Sequence, residues 1–311
     1  MRPFFSYHMP SHTFPGTPPE GILDRLVELA QAAESAGFDL VTVMDHFYQI
    51  DAIGPAEEPI LEAYTTLGAL AARTSRIRLG AMVTGVTYRN PALLAKMVTT
   101  LDVVSKGRAV LGLGAAWHEE EHRGYGFEFP PIGERLDRLD EALTICRLMF
   151  TEDQPSFEGR HFRIEAARNS PRPIQPGGPR ILVGGGGERK TLRIAARHAD
   201  ITNWVGSLEE LRHKAGVFEQ HCDAVGRDPS TVLRTTTLPL ALVEHAGERP
   251  GWVDRLPEER GRGLVALTPG QAAEHLQPYL AAGFGGFALR NQTLRTPGDL
   301  ALAAELIGLL S

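Results

Sequence analysis

The chain has 311 residues, 42% of them hydrophobic and 23% charged, with a net charge of −6 and a pI near 6.0. This is soluble globular composition, long enough for two domains or one large α/β barrel. The acidic balance argues against a nucleic-acid partner, whose phosphates call for a basic face. Cys146 and Cys222 lie in helix-like segments and read as buried thiols of a reducing compartment. No window approaches the roughly 18 consecutive apolar residues of a membrane span. The first ten residues hold no apolar signal core, so a cytoplasmic protein is expected.

Phe4 to His8 reads as a first strand, followed by the Pro-rich loop His12 to Glu20. Ile22, Leu26, Leu29, Ala30 and Ala33 share one face of a helix that Gly37 stops. Leu40 to Met44 is the second strand, Glu62 to Thr74 a helix, and Ile77 to Val83 the third strand. Pro91 opens a helix that runs to about Val104. Ala109 to Leu113 is the fourth strand, Gly114 to Pro131 a long loop, and Glu134 to Phe150 a helix. Residues 152–179, rich in Pro, Gly and Arg, read as an insertion with one extended piece near His161–Ile164. Ile181–Gly184, Ile201–Val205 and a β-rich run in Val232–Val243 are strands five to seven, with helices Glu188–Arg197 and Leu208–Val225 between them. A polar loop, Glu248–Gly263, precedes a helix at Pro269–Ala281, a strand at Gly286–Arg290 and a last helix at Pro297–Leu310. Eight βα units of this length predict one (β/α)8 TIM barrel over residues 1–311. A doubly wound open sheet is the alternative.

The most informative stretch is Arg180–Thr191, R-I-L-V-G-G-G-G-E-R-K-T. A strand that runs through glycines into a helix start aims free backbone N–H groups at an anion. Glycine lets a phosphate approach the backbone closely. A phosphorylated cofactor is expected here, against the plain alternative of an unliganded connection. The P-loop pattern fails, since Arg189 stands where its second glycine belongs, and no G-x-G-x-x-G opens a helix.

In a barrel the active site lies at the C-terminal strand ends. His8, Asp45 and His46, then Thr84, Gly85 and Thr87, then Trp117 to Glu120, the glycines, Asn203 and Trp204, and Arg290 all fall there. Each alone could be a loop residue or a cap; together they mark one rim. His118 to His122 also matches H-E-x-x-H, the pattern of a zinc hydrolase. The competing reading makes Glu121 and His122 part of a solvated charged turn.

The segments V-M-D-H-F at Val43–Phe47, G-A-M-V-T-G-V-T-Y-R-N-P-A at Gly80–Ala92, L-G-L-G-A-A-W-H-E-E-E-H-R at Leu111–Arg123 and P-P-I-G-E-R-L-D-R-L-D-E-A-L at Pro130–Leu143 join I-L-V-G-G-G-G-E-R-K-T-L-R-I-A-A-R-H-A-D at Ile181–Asp200. With these, nearly the whole chain resembles the luciferase-like monooxygenase superfamily, and within it the branch using coenzyme F420, an 8-hydroxy-5-deazaflavin. The resemblance implies a ring across the barrel mouth and a phosphate at Gly184, Gly185 and Gly187 with Glu188. It implies a bulge at Met82, Val83 and Gly85, often with a non-prolyl cis peptide, that props the ring from behind. Asp45, Leu113, Gly114 and His118 fall at further cofactor-contacting positions. His46 matches the histidine beside the reactive carbon, with Glu120 the candidate second catalytic group and His8, Trp117 and Trp204 shaping the substrate pocket.

Three positions depart from the sugar-phosphate dehydrogenases of that branch. Ala115 replaces a glutamate acid/base, His118 replaces a cofactor-contacting asparagine, and Val205-Gly206-Ser207 lacks the lysine that grips a sugar phosphate. These departures point to a substrate other than glucose 6-phosphate. The expected function is hydride transfer between the deazaflavin C5 and a small organic substrate, with no metal, in a homodimer. An FMN-dependent monooxygenase and a non-catalytic deazaflavin-binding protein are the alternatives.

Overall fold

The computed structural model describes residues 2–251, 253 and 263–311. Eight parallel strand positions close on themselves. They are β1 (Phe4–Met9), β2 (Leu40–Val43), β3 (Arg78–Ala81) with its continuation β4 (Thr84–Gly85), β5 (Ala109–Gly114), β8 (Arg180–Gly184), β9 (Ile201–Trp204), β10 (Leu233–Thr237) and β13 (Gly286–Arg290). The order β3-β2-β1-β13-β10-β9-β8-β5 closes through the pairs Leu79↔Ala109 and Gly80↔Val110. The expected barrel is therefore present and the open sheet is not.

Glycine makes the closure possible. A Cβ on Gly112 would stand 1.9 Å from the Ala81 carbonyl oxygen, and one on Gly80 would stand 2.5 Å from that of Val110. Leu40, Val110, Leu182 and Ile201 pack together as one apolar cluster, while alternate residues such as Val41, Leu111, Ile181 and Val183 join the larger core with the helices. That alternation explains strands apolar on both faces.

The covering helices are α1 (Ile22–Ser35), α2 (Ala63–Arg73), α3 (Pro91–Val104), α5 (Ile132–Thr151), α6 (Thr191–His198), α7 (Leu208–Ala224), α8 (Pro269–Ala281) and α9 (Pro297–Leu309). Their starts follow local chemistry. Asn90 accepts from the amides of Ala92 and Leu93 ahead of α3, and Ser207 with Glu210, Thr268 with Gln271 and Thr296 with Asp299 form capping boxes.

Three expectations change. The loop Gly114–Pro131 contains a short helix, α4 (Glu119–Tyr125), ended by Gly126 at φ +73°. Seven residues with three consecutive glutamates carry little apolar periodicity, which is why the pattern hid it. The β-rich run Val232–Val243 splits into β10 and β11 (Leu240–Leu242), which leaves the barrel to pair with β12 (Val265–Leu267). The insertion carries an antiparallel pair, β6 (Phe157–Glu158) and β7 (Arg163–Ile164). Much of the expected loop Glu248–Gly263, residues 252 and 254–262, lies outside the described residues.

Candidate active site

A cavity of about 670 Å³ opens at the C-terminal strand ends. It is lined by His8, Asp45, His46, Met82, Val83, Gly85, Tyr88, Gly114, Trp117, Gly184 to Gly187, Asn203, Val205 and Arg290, among others. Sequentially scattered residues meet here because each ends a different strand of one cylinder.

Strand three breaks at the Met82–Val83 peptide, which is cis, and resumes as β4 beside the end of β5. The Val83 side chain lies against two glycines. A Cβ on Gly114 would come within 2.7 Å of it, and one on Gly184 within 2.8 Å. Met82 and Val83 thus form a shelf in the cavity wall, seated where side chains are absent on both neighbouring strands.

The glycine turn closes the far side. Gly185 has φ +105°, a conformation that only glycine adopts readily, and its amide bonds the Asn203 carbonyl at 3.2 Å. Among the described residues no hydrogen bond uses the amides of Gly186 or Gly187. Lys214 holds the turn by donating to the Gly186 carbonyl at 3.0 Å. Free amides ahead of α6, next to the cavity, fit an anionic group such as a phosphate.

His46 stands on the opposite side. Its Nδ1 lies 2.7 Å from Glu121 Oε2 on α4. Glu121 is fully buried; it also accepts from the Phe47 amide, and from the Tyr88 hydroxyl at 3.1 Å. Burial alone would raise the Glu121 pKa, but the bonds from His46, Phe47 and Tyr88 outweigh it and hold the carboxyl below its usual range. An ionised carboxylate only accepts, so His46 Nδ1 carries the proton and Nε2 is left for the cavity.

Asp45 is clamped by Arg89 at 2.6 and 2.9 Å and accepts from the Gly85 amide at 3.2 Å. Its carboxylate therefore fixes the strand-three bulge against the strand-two end. Burial nevertheless pushes the Asp45 carboxyl up to about 6.

His8 Nδ1 meets Thr42 Oγ1 at 2.9 Å; burial first, then the nearby Arg290 charge, push its pKa down to about 3. His12 accepts from the Leu61 amide at 2.8 Å, and burial takes it down to about 4. Both imidazoles are neutral at physiological pH. As pH falls below about 6.5 the unfolded chain binds protons that the folded histidines refuse, so their contribution to stability is lost. Asp45 acts in the opposite sense, since below about 6 the folded carboxyl binds a proton that the unfolded one does not. The two histidines outweigh one carboxyl, and unfolding stability is expected to fall by about 2 kcal/mol between pH 7 and pH 5. Urea melts at the two pH values measure this; equal or greater stability at pH 5 would contradict the assignment.

Five expected site residues stand elsewhere than the cavity wall. Glu120 is exposed on the outer side of α4, and the inward carboxylate is its neighbour Glu121, buried rather than solvated. Trp204 is fully buried against Phe218 and Phe284 on the helix side of the sheet. Leu113 belongs to the same core. Glu188 points away, toward His213 at 3.3 Å and Lys214 at 3.7 Å. His118 sits just behind the wall, 5.8 Å from His46 between ring centres. The H-E-x-x-H pattern does not assemble. His122 is buried, with its two ring nitrogens on Thr87 Oγ1 at 2.6 Å and the His118 carbonyl at 2.7 Å. Arg89, Tyr88 and Glu121 are the contributors that sequence reasoning missed. Their motifs were visible, but the pairings cross from strand three and α4 to strand two.

A family model described as luciferase-like monooxygenase matches residues 4–249. The chain belongs to that family. It is 32% identical over 296 residues to an F420-dependent glucose-6-phosphate dehydrogenase of Kribbella flavida, covering 85% of this chain and 87% of the relative. It is 33% identical over 294 residues to one from Nocardia farcinica, covering 83% and 85%. These relatives place the family member in its F420-dependent oxidoreductase branch. An F420-dependent secondary alcohol dehydrogenase, solved with an F420-acetone adduct, shares the fold at a TM-score of 0.81 and 20% identity over both full chains. No helix among the described residues is long and apolar enough to cross a membrane.

Proposed function

We propose that this chain binds coenzyme F420 and uses it to oxidise or reduce a small organic substrate that carries an anionic group. The cofactor, when bound, would supply hydride chemistry at its C5 carbon. The residues present fit it: free amides at Gly186 and Gly187, the Met82–Val83 shelf between Gly114 and Gly184, and a cavity shared with His46. His46 would hold or give a proton at the reacting oxygen or nitrogen through Nε2, with Glu121 fixing the ring. Trp117, 60% exposed and edge-on to His46 at 5.6 Å, would help exclude water.

The observation that carries the substrate class is Arg290. It lines the cavity at the end of β13, and its buried Nε has no hydrogen-bond partner among the described residues. Burial lowers its pKa, yet a guanidinium stays charged at neutral pH. A half-buried cation with no carboxylate partner among the described residues invites a ligand anion. The strand-six end offers only Val205, Gly206 and Ser207, so a second cation is missing from the place where the sugar-phosphate relatives were expected to have one.

A screen of small alcohols and carbonyl compounds, each paired with its phosphorylated or carboxylated analogue and followed by deazaflavin absorbance, tests the reading. Turnover is expected with anionic members, and none with any member would contradict it. Arg290→Ala is expected to raise KM for the anionic substrate by about 10–100-fold with cofactor affinity unchanged. An unaltered KM would remove Arg290 from substrate binding.

A further inference from the structure

The H-E-x-x-H histidines do not form a metal site, but one of them meets a different pair. His46, His118 and Glu121 bring one ligand atom each to within 4.8 Å of one another. Glu121 Oε2 lies 2.7 Å from His46 Nδ1 and 3.4 Å from His118 Nδ1. His118 Nδ1 is buried and has no hydrogen-bond partner among the described residues, although it faces that carboxylate. Two imidazoles and one ionised carboxylate therefore converge, with one nitrogen unused.

We propose that these three residues form a site for a divalent transition metal of the zinc type, and that occupancy switches the active site off. The donor set is one that Zn²⁺ accepts, at about 2.0–2.2 Å from each nitrogen or oxygen. Donors around such an ion stand about 3.4 Å apart, a spacing derived from those bond lengths. The His118–Glu121 pair already has it. The His46–Glu121 pair, at 2.7 Å, needs to widen by about 0.7 Å once the proton between them moves to His46 Nε2.

The surroundings suit a metal carboxylate. The Phe47 amide and the Tyr88 hydroxyl orient Glu121, as the outer-shell donors of ligating carboxylates do. The helix start places Glu121 with no exposure at all, whereas the His46 and His118 side chains keep 14% and 16%, enough for an ion to enter from the cavity side. Binding moves the His46 proton from Nδ1 to Nε2 by exchange with solvent, so that a neutral imidazole coordinates through Nδ1; no proton is lost overall and no redox step occurs. The imidazole is then a ligand, with its ring fixed and its electron density drawn to the cation. The inhibited state follows from the loss of His46 as a free acid/base. Only this inhibition rests on the proposed function; the metal site does not.

The test separates the two. Apoprotein without cofactor is titrated with Zn²⁺ in a non-chelating buffer by calorimetry. One ion per chain is expected, and His118→Gln and Glu121→Gln are each expected to weaken binding by 100-fold or more. Zinc-edge X-ray absorption on the unaltered protein is expected to read two imidazoles and carboxylate oxygen, so the result does not depend on variants that fold poorly. No saturable binding, unchanged affinity in both variants, or a shell without two imidazoles would overturn the site. Binding with that shell but undiminished turnover would overturn the switch alone.

Discussion

His46→Ala is expected to lower turnover by about 100-fold or more while cofactor affinity stays within a few-fold. The side chain lines the cavity, and the Gly186 and Gly187 amides proposed to meet the phosphate lie in the turn after β8, a different part of the wall. Removing the imidazole would take away the proposed acid/base and would leave the Gly186 and Gly187 amides and the Met82–Val83 shelf in place. Steady-state rates with a substrate in hand, together with a cofactor titration, separate the two effects. A variant that binds the cofactor and retains full turnover would assign the proton transfer to another group, or to solvent.

The second large effect concerns Glu121. Glu121→Ala leaves the Phe47 amide, the Tyr88 hydroxyl and the His46 Nδ1–H facing an empty buried volume. Breaking a buried charged network in this way costs about 3–5 kcal/mol of stability. Glu121→Gln is the more telling change, because it keeps the shape. Its amide oxygen can still accept from Phe47, but the NH2 group then faces His46 and demands an acceptor at Nδ1. The imidazole is forced into the opposite tautomer, which moves its proton from Nδ1 to Nε2 and reverses the donor and acceptor roles at the cavity face. A kcat loss of about 10–100-fold with little change in KM is expected, since Glu121 touches the His46 ring and would act through it and not through substrate binding. Glu121→Asp is expected to recover part of it. A loss confined to thermal stability, with kcat intact in the folded fraction, would reduce Glu121 to a structural role.

Strand count, helix order and barrel closure were legible because their signals are local: apolar runs, capping residues and the period of each helix. The glycine turn was legible for the same reason, since four glycines between a strand and a helix constrain the backbone whatever surrounds them. The partner of His46 was not. Glu119, Glu120 and Glu121 are equivalent in sequence, and only the rotation of α4 decides that Glu121 points inward while its neighbours meet solvent. Trp204 misled for a related reason. In a strand, alternate residues face opposite sides; Asn203 takes the cavity side and the next residue takes the helix side. A large aromatic at a strand end is read as pocket or core only once that phase is known. The Asp45–Arg89 clamp spans two strand ends, and no spacing rule announces it.

The most direct test is an equilibrium titration of the apoprotein with three ligands: F420, FMN and the 8-hydroxy-5-deazariboflavin core that lacks the phosphate. Tightest binding is expected for F420, weaker binding for FMN, and at least a tenfold loss for the dephosphorylated core, because the Gly186 and Gly187 amides would then have no anion to meet. Equal affinity for the core and for F420, or tighter binding of FMN than of F420, would contradict that expectation.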